Sequence, residues 1–131
     1  MRKYSPQQCF ADILSNIETV RHYIGDMTMN ELEDDNKTLD AVLRRLENAS
    51  EAYSRLCDKE HGTPEIAQDI EARYSGVPWR KFQSLANRCR HDYDLIDVGI
   101  IWQSLEPGGT TTLVEKAIRK ELPLWDIPPK A

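Results

Sequence analysis

The sequence predicts an all-α protein, an antiparallel helical bundle of four to six helices. Three observations predict it. Apolar residues return every three or four positions over two long stretches, helix-starting residues precede most of the periodic segments, and no run alternates with period two or carries an Asn-Gly hairpin turn. With 131 residues, 40% apolar and 30% charged, the chain fits one domain around a single core, which excludes a disordered or fibrous protein. We assign residues 1–122 to that domain and residues 123–131 to a Pro-rich C-terminal tail.

Ser5-Pro6-Gln7-Gln8 starts the first helix, with Ser5 as cap and Pro6 at the first helical position, where its missing N–H costs nothing. Phe10, Ile13, Leu14, Ile17, Val20 and Ile24 then form one apolar stripe that ends near Gly25. Thr28 to Glu31 has the capping-box pattern, but the acidic run Glu31 to Asp35 has no apolar period, and a short turn is expected there. From about Asn36 to Asp58, Leu39, Val42, Leu43, Leu46, Ala49, Tyr53 and Leu56 build a second long stripe, the antiparallel partner of the first. Thr63-Pro64-Glu65 opens a third helix bearing Ile66, Ile70 and Tyr74, closed by Ser75-Gly76.

Val77-Pro78 opens a fourth helix, expected to run through Tyr93. At about 100° per residue, Trp79, Phe82, Leu85, Ala86, Cys89 and Tyr93 face the core, while Arg80, Ser84, Asn87 and His91 share the opposite side. Asp97 caps a fifth helix with Val98, Ile101, Trp102 and Leu105 inward, ended by Glu106-Pro107-Gly108-Gly109. Thr112 to Glu115 opens a last helix that reaches about Glu121.

No stretch approaches the roughly 20 apolar residues of a membrane span, and the N-terminal ten residues lead into no signal-peptide core, so a cytoplasmic protein without membrane attachment is expected. Cys9, Cys57 and Cys89 are odd in number and lack metal-ligand spacing. They are read as reduced core residues, with no metal site and no cofactor. A net charge of -5 excludes a general nucleic-acid coat. Between Trp79 and Asp92, however, Arg80, Lys81, Arg88 and Arg90 face Asp92 alone, a local +3, so contact with a polyanion is expected to be confined to that segment.

The informative residues are Pro78-Trp79-Arg80, then Ala86-Asn87-Arg88-Cys89-Arg90-His91-Asp92-Tyr93, then Asp97 and Ile101-Trp102. In order and spacing they resemble the HepT branch of the HEPN superfamily, the toxins of nucleotidyltransferase/HepT toxin-antitoxin pairs. Thr38, Ala41, Val42, Glu51 and Ala52 extend the resemblance over most of the chain, from about residue 10 to 122. It implies a HEPN-like helical fold, a homodimer with a composite cleft, RNA as substrate, and a nucleotidyltransferase antitoxin that transfers AMP to Tyr93.

One position departs from the family pattern. The ribonuclease motif places an Arg directly before the Asn, and this chain has Ala86 there. Arg88, one helical turn before His91, is read as the substitute. Metal-independent RNA cleavage needs proton transfer at the 2'-hydroxyl and the leaving oxygen, which His91 can supply, and donors for the charge on phosphorus, which Asn87 and Arg88 can supply. Arg80, Arg88 and Arg90 are the RNA-binding cations. A phosphodiester on Tyr93 would add charge and bulk and repel RNA. The alternative is a catalytically inactive HEPN-fold module that binds a nucleotide, RNA or a partner protein, favoured by Ala86. Glu51 could support the site residues from behind. In bland terms, Arg88 and Arg90 serve a helix C-terminus, Tyr93 packs on Trp102, and Glu51 lies on a solvated face.

Overall fold

The computed structural model describes residues 4–90 and 95–125, and those residues are all-α. Eight helical segments follow in order: α1 (Pro6–Ile24), α2 (Met29–Asp34), α3 (Asn36–Cys57), α4 (Pro64–Arg73), α5 (Trp79–Gln83), α6 (Leu85–Arg88), α7 (Val98–Leu105) and α8 (Thr110–Trp125). The number exceeds the expected four to six because the acidic turn is a helix and the fourth helix is divided.

The two long stripes meet as their patterns require. One core cluster joins Cys9, Phe10, Ile13 and Ile17 of α1 to Ala49, Ala52, Tyr53 and Leu56 of α3. A second joins Val20 to Leu39, Val42, Leu43 and Leu46, so the start of one helix packs on the end of the other and the pair is antiparallel. Fully burying each large side chain of these stripes contributes about 1.5–3 kcal/mol before entropy is counted, and this pair forms the spine on which the other helices lie. The helix starts behave as read: the Gln8 N–H donates to Ser5 Oγ at 3.3 Å, and the Ile100 N–H donates to Asp97 Oδ1 at 3.2 Å.

Three expectations need correction. The acidic run does not form a turn: Thr28 Oγ1 accepts from the Glu31 N–H at 3.1 Å and Glu31 Oε1 accepts from the Thr28 N–H at 2.9 Å, and the helix so nucleated drives Leu32 into the core. The last helix does not end at Glu121. It continues through Pro123 to Trp125, whose Nε1 donates to Glu121 Oε2 at 2.8 Å and whose ring meets Phe10 edge-on at 5.7 Å. The described part of the supposed tail is therefore helical, and residues 126–131 lie outside the described residues.

The fourth helix is the third correction. It is interrupted at Ser84, whose hydroxyl donates to the carbonyls of Arg80 and Lys81 at 3.2 and 3.4 Å, competing with the backbone for those acceptors. It ends at Arg88. The Asp97 N–H then donates to the Cys89 carbonyl, and Arg90 forms an isolated antiparallel bridge with Ile96. Trp79 and Phe82 still anchor the segment, stacking on Tyr53 at 5.0 Å and meeting it edge-on at 6.5 Å. No helix among the described residues is long and apolar enough to cross a membrane.

Candidate functional site

Where α5 and α6 lie beside α3, a groove of about 320 Å³ opens, lined by Glu47, Ser50, Glu51, Ser54, Gln83, Ala86, Asn87 and Arg90. Its α3 wall is a helical stripe, since positions 47, 50, 51 and 54 fall on one face at spacings of three and four. Two contacts set the register of the walls. Arg90 forms an ion pair with Glu47 at one end, and Gln83 Nε2 donates to Ser54 Oγ at 3.4 Å at the other. The walls thus run in opposite directions, and Glu51 and Ser50 fall opposite Ala86 and Asn87.

This arrangement brings two of the sequence-predicted residues together. Asn87 and Arg90 are both exposed and both line the groove. Arg88 is exposed too, but it is not among the lining residues. Helical spacing favours Arg88 only if one helix runs through residue 91, and the chain leaves the helix before Arg90. Arg80 is held elsewhere: its Nη2 donates to both carboxylate oxygens of Glu71 at 2.9 Å, and Nη1 bonds Gln83. Arg80 therefore braces α5 against α4 through a bidentate ion pair at the surface, outside the groove lining. His91 and Tyr93 lie outside the described residues.

Arg90 stands between two grooves. The second, of about 400 Å³, is lined by Asp40, Leu43, Arg44, Glu47, Arg90 and Ile96. Glu47 is shared by both and also accepts from Arg44 at 3.5 Å, so one carboxylate tethers two cations. A guanidinium has five donors in a flat fork, and a carboxylate at one edge leaves the other edge able to meet a phosphate. Sequence reasoning missed Glu47 and favoured a solvated face for Glu51, so it did not find this acidic wall. The available signal was two carboxylates four residues apart on the polar face of α3.

The cysteines are free. Cys9 and Cys89 are buried and Cys57 is half-buried. Burial pushes the Cys89 thiol up to about 11 despite Arg88 and Arg90 nearby, so it stays a neutral packing group beneath the site. Among the described residues, no three His, Cys, Asp or Glu side chains gather in a way that could hold a metal ion.

Comparisons with known proteins agree on a family. A model of the HepT-like family, described as ribonuclease HepT-like, matches residues 13–117. A Methanocaldococcus jannaschii protein named as a candidate RNase is 36% identical over 91 residues, covering 70% of this chain and 67% of that protein. A candidate ribonuclease HepT of Thermococcus cleftensis is 25% identical over 104 residues, 79% of this chain and 86% of that one. A second M. jannaschii protein, named a gamma-glutamylcyclotransferase and candidate RNase, is 26% identical over 91 residues, and the chain covers 36% of its length. No solved structure matches the chain.

Proposed function

The chain belongs to the HepT-like ribonuclease family, and on that premise we propose that it is a metal-independent endoribonuclease, kept silent by a nucleotidyltransferase partner in a toxin-antitoxin pair. The observation that carries the proposal is the groove between α3 and α5–α6. It places Asn87 and Arg90 on one wall, and His91 follows Arg90 directly in the chain.

In this reading His91 is the general acid/base, and Asn87 with Arg90 binds the scissile phosphate, Arg90 taking the part first given to Arg88. Amide and guanidinium donors aimed at the non-bridging oxygens stabilise the charge that grows on phosphorus, which is where such a site does most of its work. A second copy of the chain would bring a second His91 to a shared cleft, and AMP on Tyr93 would place a negative charge where RNA phosphates must enter.

The experiment is incubation of the purified chain with RNA in EDTA, alongside His91→Ala. The proposal expects cleavage by the parent and a loss of at least about a hundredfold in the variant, the usual weight of a general acid/base. Equal cleavage by both would remove His91 from the mechanism. Ala86 favours a second reading, a binding module without catalysis. For that reading the same incubation leaves RNA intact while the chain still captures its nucleotidyltransferase partner.

A further inference from the structure

The second groove beside Arg90 plays no part in the proposed function, yet it is built around the same cation. Arg90 and Glu47 line both grooves, so the two share an edge and follow one another along α3 from position 54 to position 40. In the second groove the α3 residues Asp40, Leu43, Arg44 and Glu47 recur at spacings of three and four and form one helix face. Opposite them, Ile96 pairs through its backbone with Arg90, which fixes the root of the Arg90 side chain.

The groove combines an apolar floor with a cationic rim. Leu43 is buried and Ile96 is half-buried. Arg44 and Arg90 are both held by Glu47, one on each carboxylate oxygen, Arg44 at 3.5 Å from Oε2 and Arg90 on Oε1. Two guanidiniums gathered on one small anion stand within a few ångströms of each other, and together they exceed its charge by one. Each gives the carboxylate one edge of its fork, so the pair offers donors at two neighbouring points. That pattern suits a ligand with two anionic groups and an apolar body between them. Asp40 is seven residues from Glu47, about 10 Å along the helix, where a carboxylate accepts from a hydroxyl or a base amine without meeting the phosphates.

We propose that the second groove is a nucleotide subsite for the strand that lies on Asn87 and Arg90. Arg44 holds the phosphate next to the one at Arg90, and the nucleoside between the two phosphates lies on Leu43 and Ile96. The inference rests on the RNA-binding half of the reading above and uses no group that transfers a proton. Its smallest ligand is a nucleoside 3',5'-bisphosphate, one nucleoside with a phosphate on either side. The volume of about 400 Å³ falls within the range of small-ligand sites, about 300–1,000 Å³.

The test is competition on the full chain against a labelled 2'-O-methyl RNA, read by anisotropy, with adenosine 3',5'-bisphosphate and the adenosine 3'- and 5'-monophosphates as competitors. The bisphosphate is expected to compete at least about tenfold better than either monophosphate, the weight of one added charged contact. Arg44→Ala should erase that advantage. The same variant should bind the RNA about 5- to 30-fold more weakly and lower the slope of log K against log salt by about 0.7. Arg45→Ala removes the same charge from the next position on α3, where Nη1 donates to Asn16 Oδ1 at 3.4 Å toward α1, and should keep Kd within about twofold. Thermal melting of Arg44→Ala should match the parent, because Arg44 is 70% exposed and its pair with Glu47 is screened by solvent.

Parent-like Kd and slope for Arg44→Ala, with Arg90→Ala weakened, would overturn the inference and leave the ribonuclease reading standing. Equal losses for Arg44→Ala and Arg45→Ala would overturn it too, since a diffuse field and not a site would then be at work. So would a bisphosphate that competes no better than the monophosphates. A parent chain that shows the expected binding pattern but cuts no RNA would defeat the ribonuclease reading and leave the subsite, whereas a chain that binds no RNA would defeat both.

Discussion

Replacing Arg90 with Ala separates what this residue does for the fold from what it does for the substrate. In the fold its guanidinium pairs with Glu47, and the two side chains are 36% and 19% exposed, so solvent screens the pair. A partly exposed ion pair of this kind is worth about 0.2–1 kcal/mol, and its loss should move the melting temperature by only a few degrees. Toward RNA the same group would make a charge-assisted bond to phosphate, worth about 1.5–3 kcal/mol, or roughly 10- to 150-fold in Kd. Removal of one phosphate contact to a single strand should also reduce the slope of log K against log salt by about 0.7. Fluorescence anisotropy with a labelled 2'-O-methyl oligonucleotide at several salt concentrations reads both quantities. Arg88→Ala, outside the groove, should change Kd by less than about threefold by the same reasoning. If Arg90→Ala changes neither Kd nor slope, or binds RNA more tightly, then Glu47 engages Arg90 fully and the groove's phosphate site is placed wrongly.

Two further predictions concern stability. Glu121 is 1% exposed; burial alone would raise its pKa, but hydrogen bonds from Arg73, Trp125 and Tyr74 outweigh burial and hold it below the usual carboxylate range. A depressed folded-state pKa contributes stability above the unfolded value, about 4.3, that is lost as pH falls through the folded value. Glu121→Gln should therefore cost about 1.5–3 kcal/mol at pH 7, and the gap between parent and variant should narrow below about pH 4 in urea titrations; a gap independent of pH would contradict the assignment. Phe82→Ala empties a fully buried site against Tyr53 and should cost about 3–5 kcal/mol by denaturant melting; a cost under about 1 kcal/mol would show that α5 is not held by its core face.

The long helices were legible because α1 and α3 each bury a stripe with strict helical spacing, and a stripe needs no knowledge of its partner. Helix α2 was not, because Leu32 is its one buried residue and a single apolar position has no period. The capping box that starts it was visible, and should have outweighed the acidic run that follows. Buried Glu115 and Glu121 were beyond reach, since their counterparts, Arg21 and Arg73, lie 94 and 48 residues away.

The site was half legible for a related reason. Asn87 is legible in the motif and Arg90 only in the local positive charge, because which arginine faces the groove depends on where the helix stops. The stop comes from the pairing of Arg90 with Ile96 and of Cys89 with Asp97, contacts that helical periodicity does not encode. Glu51 reads as a solvated face, and Glu47 draws no reading, because α3 considered alone gives no hint that another helix forms a groove beside them.

The central claim is that this groove cleaves RNA through the substrate's own 2'-hydroxyl. The most direct measurement is the chemistry of the cut ends, read by mass spectrometry after digestion in EDTA of an RNA with one cleavage site. The account predicts a 2',3'-cyclic phosphate on one fragment, a 5'-hydroxyl on the other, and no cut when that single ribose is replaced by deoxyribose. A 5'-phosphate product, or undiminished cutting at the deoxyribose, would contradict it.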